Sequence, residues 1–331
     1  MKRLILTAWL CVMLAAGCAV SPEPEVVEPE PVKPAPAVVE SEPAKAEEAA
    51  SEAVAAVVDV RDLPASERLG RVLSLSHPSA VVYVPDSLVL LGDDRTAEVD
   101  VVVHFHLGLD WVVEALDEHE MAAVLVYFSP GGLSSKYRVP FASDPGLFDR
   151  LVEEGLAAAR AVDGVSDEAE IRTLTVTSFS AGFGAVREVL KDPEAFARID
   201  HLVMADTIYA GYEGEVADKV VRADHMADFK RFAAEAAAGR KAMIVTHNSY
   251  DPPGYASTEE TADVLIEHLG LERYAVDYPV GEKLRHHSRA GAGRFEVFGS
   301  PRTDGSDHAM HLKYIAWPLG MLGLGGSASG G

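Results

Sequence analysis

Three patches of this 331-residue chain carry side chains whose types and spacing could do chemistry. The first is Thr177-Ser178-Phe179-Ser180-Ala181-Gly182-Phe183-Gly184, a small-residue turn between a β-branched stretch and a helical pattern. A serine held in so tight a turn needs small flanking residues, because neighbouring backbone presses close on both sides. The helix behind it offers unpaired N–H groups and a dipole to a developing negative charge, with the Ala181 N–H nearest. The second patch is imidazole-rich: His104-Phe105-His106-Leu107-Gly108 ends one strand, and Gly305-Ser306-Asp307-His308-Ala309-Met310-His311 opens a late helix. The third is acidic, with Asp206 after Val203-Met204-Ala205 and Asp251 closing Thr246-His247-Asn248-Ser249-Tyr250-Asp251. A serine becomes a nucleophile when a histidine takes its proton and a carboxylate holds that histidine's tautomer. The spacings His104-x-His106 and His308-x-x-His311 also suit zinc, so a zinc-dependent hydrolase using His104, His106 and His308 is an alternative.

Alternating strand-like and helix-like patterns must position these groups. Strands are expected at 80–91 (interrupted near Pro85-Asp86), 99–105, 122–128, 171–179, 202–205, 242–246 and 295–298. Helices are expected at 111–119, 147–162, 182–191, 224–238, 258–269 and 307–319. The alternation predicts an α/β fold, a doubly wound and mostly parallel sheet flanked by helices and joined by right-handed crossovers. Loops at 130–145, 206–224, 251–258 and 271–294 should wall a pocket. Their aromatics, Tyr137, Phe141, Tyr209, Tyr212, Tyr250 and Tyr255, suit an acyl or aryl group and suit loop packing equally. His286-His287 lies in a polar, Arg-rich loop and reads as surface; His311, one turn beyond His308, reads as helix surface or as support behind the site.

The serine turn resembles the nucleophile elbow of the α/β-hydrolase superfamily, Gly-x-Ser-x-Gly, with Ser178 in place of the first glycine. The resemblance extends over about residues 75–322 and implies serine esterase or lipase-like chemistry on a carboxylic ester or related acyl bond, without a cofactor. It implies the chain order Ser180, acid, His308. Asp251 stands at the family's acid spacing after the strand, and Pro252-Pro253 fixes its loop, which favours it. Asp206 is the alternative acid, since some members carry it one strand earlier. The turn after His104 resembles the His-Gly turn that completes the oxyanion hole, so Ala181 would be joined by Leu107 or Gly108. Leu107 departs from the usual glycine. Zinc-dependent β-lactamase-like enzymes carry Asp-His soon after their His-x-His, whereas Asp110 follows alone here. A further alternative keeps the fold without the chemistry, as a non-catalytic binding or scaffold lipoprotein.

Composition bounds the setting. A formal charge of −23 argues against nucleic acid as a partner. Lys2-Arg3, an apolar run at 4–14 and Ala15-Ala16-Gly17-Cys18 resemble a bacterial lipoprotein signal peptide at 1–17, with Cys18 as the lipidated residue. The same resemblance implies, from Ala19 where Asp would retain such proteins in the inner membrane, the outer membrane on its periplasmic face. Cys11 and Cys18 are the only cysteines, so the domain beyond them has no thiol for disulfides, metal sites or catalysis. Residues 18–58 hold nine Glu against Lys33 and Lys45, with seven prolines, and read as an extended tether. The hydrolase-like domain is expected at 59–322 and a glycine-rich tail at 323–331. The expected partners are a small-molecule, lipid or cell-wall acyl substrate, and the membrane through the N-terminal lipid.

Overall fold

The computed structural model describes residues 70–88, 96–118 and 121–324. The signal peptide, Cys18 and the tether expected at 1–58 lie outside the described residues, as does nearly all of the expected tail. Ten strands form one sheet: β1 (Gly70–Ser74), β2 (Ala80–Pro85), β3 (Thr96–Phe105), β4 (Ala123–Phe128), β5 (Val165–Phe179), β6 (His201–Ala205), β7 (Ala242–His247), β8 (Tyr274–Pro279), β9 (Arg285–Ala292) and β10 (Phe295–Gly299). Their order is β1-β2-β4-β3-β5-β6-β7-β10-β9-β8. From β4 through β10 neighbours run parallel, and antiparallel pairs close both edges.

The helices are α1 (Leu109–Glu118), α2 (Ser134–Ser143), α3 (Leu147–Arg160), α4 (Phe183–Val189), α5 (Pro193–Arg198), α6 (Ala223–Ala237), α7 (Thr258–His268), α8 (Gly305–Lys313) and α9 (Ala316–Gly320). Strand side chains alternate between faces, so β3 serves two cores at once. Val101, Val103 and Phe105 join a core with α3, α6 and α7, whereas Val102 joins one with α1, α8 and α9. Such two-sided burial is why the central strands read as continuous apolar runs rather than alternating ones. The mostly parallel sheet with helices on both faces is the architecture that the strand–helix alternation predicts.

β1 and α5 were not expected from the sequence, and four further segments differ from expectation, each for a physical reason. The helix expected at 307–319 is broken into α8 and α9, because Pro318 lacks an N–H and its ring excludes the carbonyl of Tyr314 one turn earlier. The loop expected at 130–145 contains α2, which tolerates Pro140 within it; Tyr137 and Phe141 are buried in the core rather than lining a loop. The loop expected at 271–294 is the β8–β9 hairpin, whose exposed, charged and Pro-terminated outer strand conceals its pairing in the sequence. β5 begins at Val165, because the polar half Val165–Glu170 still pairs with the start of β3.

Candidate active site

β5 delivers Ser180. The backbone there turns from extended Phe179 into the left-handed region, φ +47°, and enters a single 3-10 turn that leads into α4. That conformation costs a non-glycine residue about 1–2 kcal/mol, and packing must hold it. It does so closely: a Cβ on Gly182 would lie 2.4 Å from the Phe105 carbonyl oxygen, and one on Gly184 would lie 2.4 Å from that of Ser134. Ser178, the departure from the glycine motif, points its hydroxyl 3.0 Å from Thr207 Oγ1, and Thr207 donates to the Ser180 carbonyl at 2.7 Å. The serine is therefore a strut between β5 and the tip of β6.

α8 delivers His308. Asp304 caps the helix by accepting the Asp307 N–H at 2.9 Å, which sets His308 in the first turn. His308 Nε2 lies 2.9 Å from Ser180 Oγ, and Nδ1 lies 2.7 Å from Asp206 Oδ2. The Phe179 ring stacks on the imidazole at 4.4 Å between centroids and keeps one side of it dry. Asp206, at the tip of β6 with φ +47°, is fully buried. Its Oδ1 accepts the Asn248 N–H at 3.1 Å and the Thr258 hydroxyl at 2.5 Å. Burial alone would raise this carboxyl, but the charges and hydrogen bonds of His308, His311 and Thr258 outweigh it and hold the group below the ordinary carboxylate range. Serine, imidazole and carboxylate thus form one continuous hydrogen-bonded line.

Asp251 is not part of that line. Its carboxylate is 63% exposed and pairs with Lys219 Nζ at 2.8 Å. The preference for Asp251 over Asp206 is therefore corrected. The loop leaving β7 turns its Asn248 amide toward Asp206 and carries Asp251 out to solvent. The tip of β7 supports the carboxylate with an N–H instead of supplying it.

The loop after β3 sits beside the elbow. His106, Leu107 and Gly108 are successive left-handed residues, with φ of +77°, +43° and +70°. His104 fixes them from below: its Nε2 reaches the carbonyls of His106 (2.8 Å) and Leu107 (3.0 Å), and its Nδ1 reaches Thr177 Oγ1 (2.6 Å). Burial lowers the His104 pKa to about 4, so the ring is neutral. Leu107 N–H points at Ser129 Oγ, 3.4 Å away, and Gly108 packs against Leu312 of α8. The zinc alternative fails on this donor geometry, since both ring nitrogens of His104 and of His308 are already engaged. Among the described residues, no group of three His, Cys, Asp or Glu could hold a metal ion.

Of the histidines read as surface, His287 is exposed, but His311 and His286 are not. His311 is buried with Nδ1 2.8 Å from Thr246 Oγ1, which ties α8 to β7. His286 is fully buried against Phe298 and Trp317, while His287 is exposed. Sequence reasoning also missed Thr258, Asn248 and Thr207, and gave Tyr137 only as a loop aromatic, whereas its hydroxyl lies against His106 Nδ1 and Ser129 Oγ. Only Thr258 had a signal: Ser257-x-x-Glu260 is a capping box that marks the start of α7, and the structure forms both of its bonds.

No family model and no curated protein sequence matches the chain. Among solved structures it is similar to an S-formylglutathione hydrolase of Staphylococcus aureus, at 11% identity over 76% of this chain and 95% of that one, with a TM-score of 0.41. It is similar to a Pyrococcus furiosus esterase at 12% identity over 82% and 97%, TM-score 0.42, and to Thermogutta terrifontis esterase 2 at 13% over 80% and 100%, TM-score 0.41. The fold itself is identified from the topology. A mostly parallel sheet, a strained serine at a strand-to-helix elbow, and serine, acid and histidine in that chain order are the marks of the α/β-hydrolase fold, and that is the fold of this chain.

Proposed function

We propose that this chain is a serine hydrolase of carboxylic esters, working by acyl-enzyme chemistry through Ser180, His308 and Asp206. The observation that carries the reading is the unbroken line from Ser180 Oγ through His308 to the buried, ionised Asp206. Ser180 Oγ attacks the ester carbonyl as its proton passes to His308 Nε2. Asp206 holds the Nδ1–H tautomer and stabilises the imidazolium that forms. The oxyanion is met by the Ala181 N–H at the elbow and by the loop after β3. With the Leu107 amide directed at Ser129, Gly108 is the backbone donor that loop has left to offer. His308 then returns its proton to the leaving alkoxide, and water cleaves the acyl-enzyme by the same steps.

Phe183, Tyr209 and Tyr255 form a chain of edge-on rings beginning at the start of the elbow helix, with centroids 5.5 and 5.6 Å apart, an apolar wall that would suit an acyl group. The sequence expectation of a lipid on Cys18 would place this activity at the bacterial cell envelope, on lipid, cell-wall or imported esters. Among the described residues no helix is long and apolar enough to cross a membrane. A panel of p-nitrophenyl esters of increasing acyl length tests the activity: hydrolysis by the wild type and none by Ser180→Ala supports it, and equal rates in both refute it. Labelling the chain in a bacterial host with a palmitate analogue, lost in Cys18→Ala, tests the anchor.

A further inference from the structure

Two buried imidazoles leave α8 one turn apart, and the chemistry above uses only the first. His308 reaches the tip of β6, with Nδ1 2.7 Å from Asp206 Oδ2. His311 reaches β7, with Nδ1 2.8 Å from Thr246 Oγ1. It is 2% exposed, and among the described residues its Nε2 has no hydrogen-bond partner, with Asp307 Oδ2 3.7 Å away. The contact with Thr246 is therefore the hydrogen bond that orients this ring. Three residues rise about 4.5 Å along a helix, close to the roughly 4.8 Å between neighbouring strands, so one helix face can hold both strand tips.

Thr246 is the joint between the two contacts. It pairs with Ala205 across the β6–β7 ladder, and its carbonyl accepts the Asp206 N–H at 2.8 Å. Asp206 stands there in the left-handed region, φ +47°, a conformation that its surroundings must hold. The links close a ring. It runs from His308 to the Asp206 carboxylate, from the Asp206 N–H to the Thr246 carbonyl, from the Thr246 hydroxyl to His311, and along one turn of α8 back to His308. The first turn of α8 is anchored separately, by the Asp304 cap and by Ser300, whose hydroxyl donates to Asp307 at 2.9 Å.

We propose that His311 is a positioning residue: by binding Thr246 it sets how α8 is turned toward β6 and β7, and so keeps His308 in line with both Ser180 Oγ and Asp206 Oδ2. The proposal rests on the serine-hydrolase reading. His311 acts through His308 and exchanges no proton in the reaction. The first-turn anchors fix where α8 begins, and His311 fixes its rotation one turn beyond the catalytic histidine. That rotation matters because His308 must meet two partners at once, Ser180 Oγ at 2.9 Å and Asp206 Oδ2 at 2.7 Å. A proton passes only across such contacts, and a misplacement of about 1 Å can cost about 100-fold in rate.

The test is steady-state kinetics of the full chain on p-nitrophenyl butyrate, with fluorophosphonate labelling of Ser180 as a second rate, each variant assayed well below its own Tm. His311→Leu should lower kcat at least about tenfold with KM within about threefold, because alignment is lost and the binding surface is not. His311→Asn sets an amide where Nδ1 stands, able to donate to Thr246 or accept from it, and should recover most of the loss. The sharpest comparison is made in the Asp206→Asn background, where His308 is already in the wrong tautomer to take the serine proton. There His311→Leu should slow labelling by no more than about threefold, since two changes on one linkage do not add. A kcat loss below about threefold in His311→Leu overturns the proposal. So does a loss that His311→Asn does not recover, or a further loss above about threefold in the Asp206→Asn background, the mark of a merely structural role. Should His311→Leu fail to fold, Thr246→Val removes the same bond from the other side and carries the same expectations and refutations, with Thr246→Ser, which keeps the hydroxyl, as the variant that recovers. Ester hydrolysis surviving Ser180→Ala would instead overturn the serine reading, and this proposal with it.

Discussion

At the scale of single residues, the two carboxylates are separated by their surroundings more than by their position in the chain. Asp206 is fully buried and accepts three hydrogen bonds, from Asn248, Thr258 and His308, whereas Asp251 lies in solvent against Lys219. Losing the buried acid leaves His308 in the wrong tautomer, so Asp206→Asn should reduce kcat by about 10⁴-fold. Asp251→Asn breaks only an exposed ion pair, of a kind that contributes about 0–1 kcal/mol, and should leave kcat/KM within about twofold. Rates of the two variants on one ester check both expectations together. The serine, the histidine and both candidate acids were legible from residue type and order. What could not be read was which way the chain leaves β7, because that is set by the Asn248 amide reaching Asp206 across the sheet.

At the scale of elements, the elbow works because β3, β5 and α4 approach more closely than a methyl group allows. Gly182→Ala would place Cβ 2.4 Å from the Phe105 carbonyl oxygen and 2.6 Å from Ser178 Oγ. Overpacking against backbone costs about 1–3 kcal/mol, so thermal unfolding should shift down by several degrees and activity should fall with it. Ser178→Gly, which restores the family's glycine, should instead lose about 1 kcal/mol, because Thr207 loses its hydroxyl partner while the turn stays open. The central strands and the main helices were legible because burial on one or two faces imposes periodicity. The edge hairpin β8–β9 was not, because its outer strand is exposed and carries Tyr, Asp and Pro instead of an alternating pattern. α2 was hidden by Pro140 and its serines, although its tertiary role against Gly184 is what steadies the elbow.

At the scale of the whole molecule, several histidines are buried as neutral groups, and this governs acid stability. Burial lowers the pKa of His104 and of His201 from 6.5 to about 4, and of His106 and His247 to about 3. The unfolded chain therefore takes up protons before the folded one as pH falls, so stability is intact above about pH 6.5 and drains away between 6.5 and about 4. His104 alone accounts for about 3 kcal/mol across that window. Asp206 acts in the same direction lower down, since its depressed carboxyl contributes stability above about pH 4 that is lost as it protonates. Thermal unfolding followed from pH 8 to pH 4 should show a steep fall beginning near 6.5, and a flat profile to pH 5 would mean that these rings are not buried neutral. The charge of −23, concentrated in part before the domain, bears on solubility and not on the site.

The most direct measurement is mass spectrometry of the chain after treatment with a fluorophosphonate, followed by peptide mapping. A triad of Ser180, His308 and Asp206 requires a single adduct on Ser180, formed slowly in Asp206→Asn, formed at the wild-type rate in Asp251→Asn and absent in Ser180→Ala. An unmodified Ser180 in a protein that still hydrolyses esters, or labelling that depends on Asp251 instead of Asp206, would contradict it.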